Sequence, residues 1–303
     1  MPIPYYPGCT LSTKASGYDA SGRAVARDLG VELEELPDWN CCGATFPLAV
    51  DNLLAMAGPA RVLVEARAQS ERVVTLCAIC YNVLKRTNHF LQGDDEKRDR
   101  LNYFIEAEYA GDLHVLHFLE ILRDEVGFEA VQERVAQARE ETGKSLRGLR
   151  VAPYYGCLLL RPEKEMQLDN AEDPQILEDL LRALECEPVD FSHRVECCGS
   201  YLLVSAGELA ASMSFDVLRS AARSGADLLV TACPLCQYNL DYKQTEMARA
   251  HPGFRPLPVL YFTQLMGLAL GLADGDWDWE KHHVDPRPLL ASHGLLAPEA
   301  RDE

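Results

Sequence analysis

The chain has 303 residues, 48% hydrophobic and 25% charged, the balance of an ordinary soluble globular protein long enough for roughly two domains. Its formal net charge of −18 repels phosphates and argues against a nucleic-acid partner. Met1-Pro2-Ile3-Pro4 is no secretory signal, and the best apolar run, Val259 to Ala273, is shorter than the ~20 residues of a membrane span. A cytoplasmic protein without a transmembrane segment is expected. In that reducing compartment eleven cysteines point to metal ligands or redox groups rather than structural disulfides.

In chain order, Ile3 to Tyr6 is a short apolar and aromatic segment reaching Gly8-Cys9. A helix is predicted up to Leu29, with Gly30 as its C-terminal cap, then a strand over Val31 to Leu36, where apolar and acidic residues alternate. Helical sequence over about Leu48 to Ala68 is broken near Gly58-Pro59, and Arg72 to Leu76 reads as a buried strand ending at Cys77. A helix carries Cys80 through Leu84, and His117 to Leu122 looks like the closing helix of the unit. The charged stretch Phe128 to about Gly148 is the linker candidate and is itself expected to be helical.

The order then repeats. Leu149 to Tyr155 is a strand into Gly156-Cys157, and Asp173-Pro174 starts a helix whose Ile176, Leu177, Leu180, Leu181 and Leu184 share a face. Leu209, Met213, Val217 and Ala221 mark a helix stopping at Gly225. Leu228 to Ala232 is the strand into Cys233, and Val259 to Leu265 matches the first closing helix. The polar tail with Trp277, Trp279, His282 and His283 is expected over the surface or on a partner. The predicted fold is α/β: two tandem pseudo-symmetric units, each a small, mainly parallel sheet flanked by helices, with the sites near the interface. The domain boundaries drawn are 1–148, 149–273 and a tail 274–303.

The cysteines carry the function. Cys9, Cys41-Cys42-Gly43 and Cys77-x-x-Cys80 follow C-x31-CC-x34-C-x2-C; Cys157, Cys197-Cys198-Gly199 and Cys233-x-x-Cys236 follow C-x39-CC-x34-C-x2-C. A repeat on this scale is an architectural signature. Thiolates bind zinc, Cu(I) or iron–sulfur clusters. Five per half exceeds the four that a structural zinc or an ordinary cubane cluster takes, and adjacent cysteines suit a cluster of different shape. Zinc in one half stands as the alternative. Cys186 lies outside the frame, aligned with Val31, and reads as buried packing.

Tyr5-Tyr6-Pro7-Gly8-Cys9, Trp39-Asn40-Cys41-Cys42-Gly43-Ala44, Tyr154-Tyr155-Gly156-Cys157, Cys233-Pro234-Leu235-Cys236 and Val259 to Leu268 resemble the cysteine-rich CCG domain. The whole, over about residues 1–290, resembles the B component of heterodisulfide reductase. The resemblance implies two non-cubane [4Fe-4S] clusters that together cleave a disulfide or, in reverse, oxidise thiols. Cys9, Cys41, Cys42, Cys77 and Cys80 would hold one, and Cys157, Cys197, Cys198, Cys233 and Cys236 the other. It implies two partners from the same kind of complex, its iron–sulfur C component and its flavin-containing A component, with a small thiol or disulfide as substrate. The alternative is an electron-transfer or docking subunit of a larger oxidoreductase, such as a succinate or lactate oxidoreductase. Outside the clusters, His117 and His193 are weak candidates for proton or hydrogen-bond donation and Arg161 for anchoring an anion. A satisfied core histidine or a surface salt bridge explains each as simply.

Overall fold

The computed structural model describes residues 2–46, 52–272 and 277–297. Eight strands build two sheets: β1 (Ile3–Tyr5), β2 (Leu33–Glu35), β3 (Arg72–Thr75) and β4 (His114–His117) in the first half, β5 (Arg150–Tyr154), β6 (Glu187–Pro188), β7 (Leu228–Thr231) and β8 (Val259–Tyr261) in the second. The orders are β2-β1-β3-β4 and β6-β5-β7-β8, so the duplication of sequence is a duplication of topology. Every pairing is parallel, with Val73 opposite Val115 in one sheet and Val151 opposite Leu228 in the other. Parallel strands covered by helices on both faces need continuous apolar sequence, which Val73-Val74 and Leu228-Leu229-Val230 supply; all five are buried.

The predicted closing helices begin as strands. His114 to His117 pairs with β3, and Val259 to Tyr261 with β7, before helices start at Phe118 and Phe262. Both transitions use the same box: the His117 N–H donates to the Glu120 carboxylate at 2.7 Å, and the Tyr261 N–H to the Gln264 side-chain oxygen at 3.0 Å. Edge strands this short do not show a period of two beside so strong a helix start.

Gly58-Pro59 does not interrupt its helix, Ala57–Gln69, because the proline falls in the first turn, where no intrahelical N–H is required. The part of that expectation at 48–51 lies outside the described residues. The helix expected from Asp173-Pro174 begins at Ile176, with Asp169 rather than Asp173 accepting from the N–H groups of Gln175 (2.7 Å) and Ile176 (2.8 Å). In the helix Gly207–Arg223, Val217 and Ala221 face the core, whereas Leu209 is exposed. The linker candidate is a packed helix, Phe128–Thr142, burying Val131, Val135 and Ala138 and lying against Ile176–Ala183.

The halves interlock. Helix Ser16–Asp28 of the first lies along Phe262–Ala269 of the second, with Ser21 and Thr263 hydroxyls 2.7 Å apart and Tyr18 stacked on Tyr261 at 4.1 Å. The C-terminal segment closes this seam rather than lying over the surface: Trp277 is 2% exposed. A Cβ on Gly17 would sit 2.1 Å from the Trp277 carbonyl oxygen, and one on Gly267 2.1 Å from its ring, so one glycine makes room for the backbone of Trp277 and the other for its indole. A buried indole of this size contributes on the order of 3–5 kcal/mol relative to alanine. Among the described residues no helix is long and apolar enough to cross a membrane.

Candidate metal centres

Each lone cysteine follows a central strand and a glycine. Gly8 (φ +74°) and Gly156 (φ +64°) are left-handed, and a Cβ there would meet the Sγ of Cys80 at 2.7 Å or of Cys236 at 3.3 Å. The glycines therefore make room for the last thiol of each Cys-x-x-Cys. Two residues earlier, Tyr6 and Tyr154 reach across: the Tyr6 hydroxyl donates to the Asn40 carbonyl at 2.9 Å and the Tyr154 hydroxyl to the Glu196 carbonyl at 2.7 Å. Those carbonyls belong to the residues preceding Cys41 and Cys197. Each paired-cysteine turn is thus tied to the strand that delivers the lone cysteine.

Gly43 (φ +84°) and Gly199 (φ +82°) then let the chain double back, and their N–H groups point at the Sγ of Cys41 (3.4 Å) and Cys197 (3.3 Å). Cys42 and Cys80 thiols stand 3.6 Å apart, Cys198 and Cys236 3.5 Å, and Cys9 and Cys41 3.5 Å. The Cys236 N–H also donates to the Sγ of Cys233 at 3.4 Å. A disulfide needs about 2.05 Å; all eleven cysteines are free. The structure brings the thiols of Cys9 and Cys41, of Cys42 and Cys80, and of Cys198 and Cys236 together in pairs, and sets Cys157 and Cys233 beside the last pair.

Crowding sets their protonation. The hydrogen bond from Cys80 draws the Cys42 thiol down to about 7, and the bond from Cys157 draws Cys197 down strongly; Cys80 and Cys157 are correspondingly pushed up. Several thiolates cannot share so small a space without a multivalent cation at its centre. Backbone N–H donors on sulfur and ten soft donors fit an iron–sulfur group. Among the described residues, no group of three or more His, Cys, Asp or Glu side chains is arranged to hold a single metal ion. Cys186, 6% exposed, packs beside β6 away from both nests.

The nests adjoin. The Ala78 N–H, one residue after Cys77, donates to the Ala232 carbonyl, one residue before Cys233, at 3.0 Å. Leu76, just before Cys77, has its carbonyl held by the Tyr18 hydroxyl at 2.6 Å and by His117 Nε2 at 2.8 Å. His117 Nδ1 accepts from the Leu119 N–H at 3.2 Å, so Nε2 carries the proton; burial pulls its pKa down to about 3 and the ring stays neutral. Both ring nitrogens thus bond to backbone. His193 is half-buried, with Nδ1 2.9 Å from the Ser192 hydroxyl. Arg161 donates to the carbonyls of Val195 (2.7 Å) and Ala171 (3.1 Å) and pairs with Glu172 (3.0 Å), bracing the approach to Cys197.

Spacing does not reveal Tyr201, whose hydroxyl donates to the Ala44 carbonyl and so joins the two paired-cysteine turns. The tyrosines at 6 and 154 do carry a signal: each stands three residues before its lone cysteine.

Two parallel α/β units that each carry a lone cysteine and a Cys-x-x-Cys just beyond central strands, paired with thiols of a Cys-Cys-Gly turn, define a duplicated cysteine-rich module. The family model described as CCG, cysteine-rich domain, matches residues 3–85 and again 151–241, and the chain belongs to that family. It is 34% identical over 288 residues, 94% of this chain and 98% of the relative, to the 8-methylmenaquinol:fumarate reductase membrane anchor subunit of Wolinella succinogenes. It is 28% identical over 292 residues, 94% of this chain and 95% of the relative, to the B component of the ferredoxin/F(420)H(2)-dependent CoB-CoM heterodisulfide reductase of Methanosarcina acetivorans. A crystal structure of a hypothetical protein from Helicobacter pylori shares the fold at a TM-score of 0.68 and 12% identity, covering 93% of this chain. This chain spans about half of that one, 51%.

Proposed function

We propose that the chain is the counterpart of the B component in a cytoplasmic complex of the heterodisulfide reductase type, holding two non-cubane [4Fe-4S] clusters. Cys9, Cys41, Cys42, Cys77 and Cys80 hold the first; Cys157, Cys197, Cys198, Cys233 and Cys236 hold the second. Its reaction is reduction of a small disulfide, or oxidation of the thiols, with electrons from the iron–sulfur C component and the flavin-containing A component. The observation that supports this reading is the close thiol pairs in both halves, with the two Cys-x-x-Cys turns joined through Ala78 and Ala232. Splitting R–S–S–R′ into two thiols takes two electrons and two protons, and a bound cluster supplies one-electron transfer. Two adjoining centres therefore suit a two-electron bond cleavage. The chain's own residues shape each nest, exclude water from Cys42, Cys77 and Cys80 and from Cys198, Cys233 and Cys236, and hold the two Cys-x-x-Cys turns in register.

Protein purified without exposure to air is expected to carry about eight irons and equivalent sulfide, two four-iron clusters' worth. Near-stoichiometric zinc with little iron in that preparation overturns the reading and restores the zinc alternative.

A second reading, an iron–sulfur relay or docking subunit without disulfide chemistry, is favoured by the 34% relative, whose name places it in a fumarate reductase. Disulfide turnover by the iron-complete protein with an artificial donor separates the two.

A further inference from the structure

The two halves repeat each other in topology but not in what lies beside their centres. Next to Cys9 is a cavity of about 430 Å³, lined among others by Thr13, Leu235, Tyr238, Tyr261 and Trp277. That volume is in the range of sites that enclose small molecules. Its place is fixed by the pseudo-symmetry: the lone cysteine of one half faces the two residues inside the Cys-x-x-Cys of the other, here Cys9 against Pro234-Leu235. The symmetry mate is Cys157 against Ala78-Ile79. There the chain itself takes up the matching place, with Leu158 against Ala78-Ile79, and the small hollow of about 10 Å³ that remains is lined by Cys157, Cys198, Cys233 and Cys236 and belongs to the second nest.

The cause is legible in the spacing. Thirty-one residues separate Cys9 from Cys41, thirty-nine separate Cys157 from Cys197, and the surplus is eight. In the first half a short link, 10–15, leads from Cys9 to the helix at Ser16; in the second, residues 158–175 lead from Cys157 to the helix at Ile176. This longer link folds onto helix Ala78–Gly93. Asn82 donates to the carbonyls of Leu158 and Arg161, both at 2.8 Å, Tyr81 donates to the Met166 carbonyl at 3.1 Å, and Arg86 pairs with Glu165 at 2.6 Å. It is a built plug with buried polar anchors. Tyr201, clasped to Ala44, lines the second nest beside Leu158. Exposure follows suit: Cys9 and Cys41 are exposed, whereas Cys157 and Cys197 are half-buried.

We infer that the duplicated centres have diverged in role: a small thiol or disulfide enters only beside Cys9, and the plugged second centre exchanges electrons without meeting it. This rests on the proposed thiol chemistry and adds that one centre alone meets the ligand.

The test counts bound ligand rather than turnover. Iron-complete protein is titrated anaerobically with 4-fluorothiophenol and followed by ¹⁹F NMR, which reads broadening near a paramagnetic centre. One equivalent is expected. Thr13→Trp, which fills the cavity from its exposed rim, should weaken that binding at least tenfold with iron content unchanged. Leu158→Ala combined with Tyr201→Ala should admit a second equivalent. Two equivalents on the unaltered protein, or one equivalent indifferent to Thr13→Trp, overturns the divergence while leaving thiol chemistry standing. No bound thiol on iron-complete protein overturns both. The wild-type count and Thr13→Trp decide the matter even if the double variant fails to fold.

Discussion

At the scale of single residues, eleven cysteines divide by neighbourhood rather than by chemistry. Eight have another thiol or a backbone N–H directed at sulfur, and Cys77 and Cys157 follow central strands beside them, whereas Cys186 sits among apolar side chains, where burial pushes its pKa up. A buried thiol of that kind behaves as a small hydrophobe. Cys186→Ser should therefore keep the full metal content and cost about 1 kcal/mol in denaturant unfolding. Cys198→Ser should lose or remodel one cluster, since Cys198 faces Cys236 at 3.5 Å. Iron analysis of the two purified variants checks this; loss of a cluster from Cys186→Ser would overturn the ligand assignment in the second half. The frame itself is legible from spacing alone because a metal nest requires fixed residue types at fixed turns. The Tyr201 clasp is not, since a hydroxyl reaching the carbonyl of Ala44, 157 residues away, leaves no local pattern.

At the scale of elements, the strands entering Cys77 and Cys233 are legible because β-branched runs with both faces buried have no other reading. β4 and β8 are not: they are edge strands of four and three residues absorbed into the helices that follow them. The tail misleads for a related reason, since its polar residues find partners only in the tertiary fold. Asp241, on helix Pro234–Tyr242, accepts from the N–H groups of His283 (2.6 Å) and Val284 (2.9 Å) and so fastens the C-terminal segment. Burial raises its pKa to about 6. An unfolded aspartate titrates near about 3.9, so the folded state takes up this proton first. The penalty for burying the charge is full above pH 6 and is relieved as pH falls toward 4. Over that window Asp241 should contribute a relative gain of about 3 kcal/mol at most. Its sign is opposite to the acid loss expected of paired carboxylates. Wild-type stability minus that of Asp241→Asn, from urea unfolding at pH 7, 6, 5 and 4, should therefore rise as pH drops. A difference that is flat or falls would show the carboxylate to be ordinary.

At the scale of the molecule, the interlocked halves decide how the two centres work together. Trp277, the Tyr18–Tyr261 stack and the Ala78–Ala232 hydrogen bond hold them as one body, so neither nest is shaped by its own half alone. If disulfide cleavage needs both electrons, each centre is indispensable for turnover, yet only the one beside the open cavity is indispensable for binding. Cys41→Ser and Cys197→Ser separate these demands. With an artificial one-electron donor that bypasses the partner proteins, neither variant should reduce a disulfide through two electrons. Binding of 4-fluorothiophenol should differ between them: retained within about twofold in Cys197→Ser, whose lesion lies behind the plug, and lost in Cys41→Ser, where the thiol paired with Cys9 at 3.5 Å is gone. Sustained turnover by either single-centre variant would rule out the shared two-electron reaction. Equal loss of binding in both would mean that the plug does not isolate the second centre, and that the eight-residue surplus serves only packing.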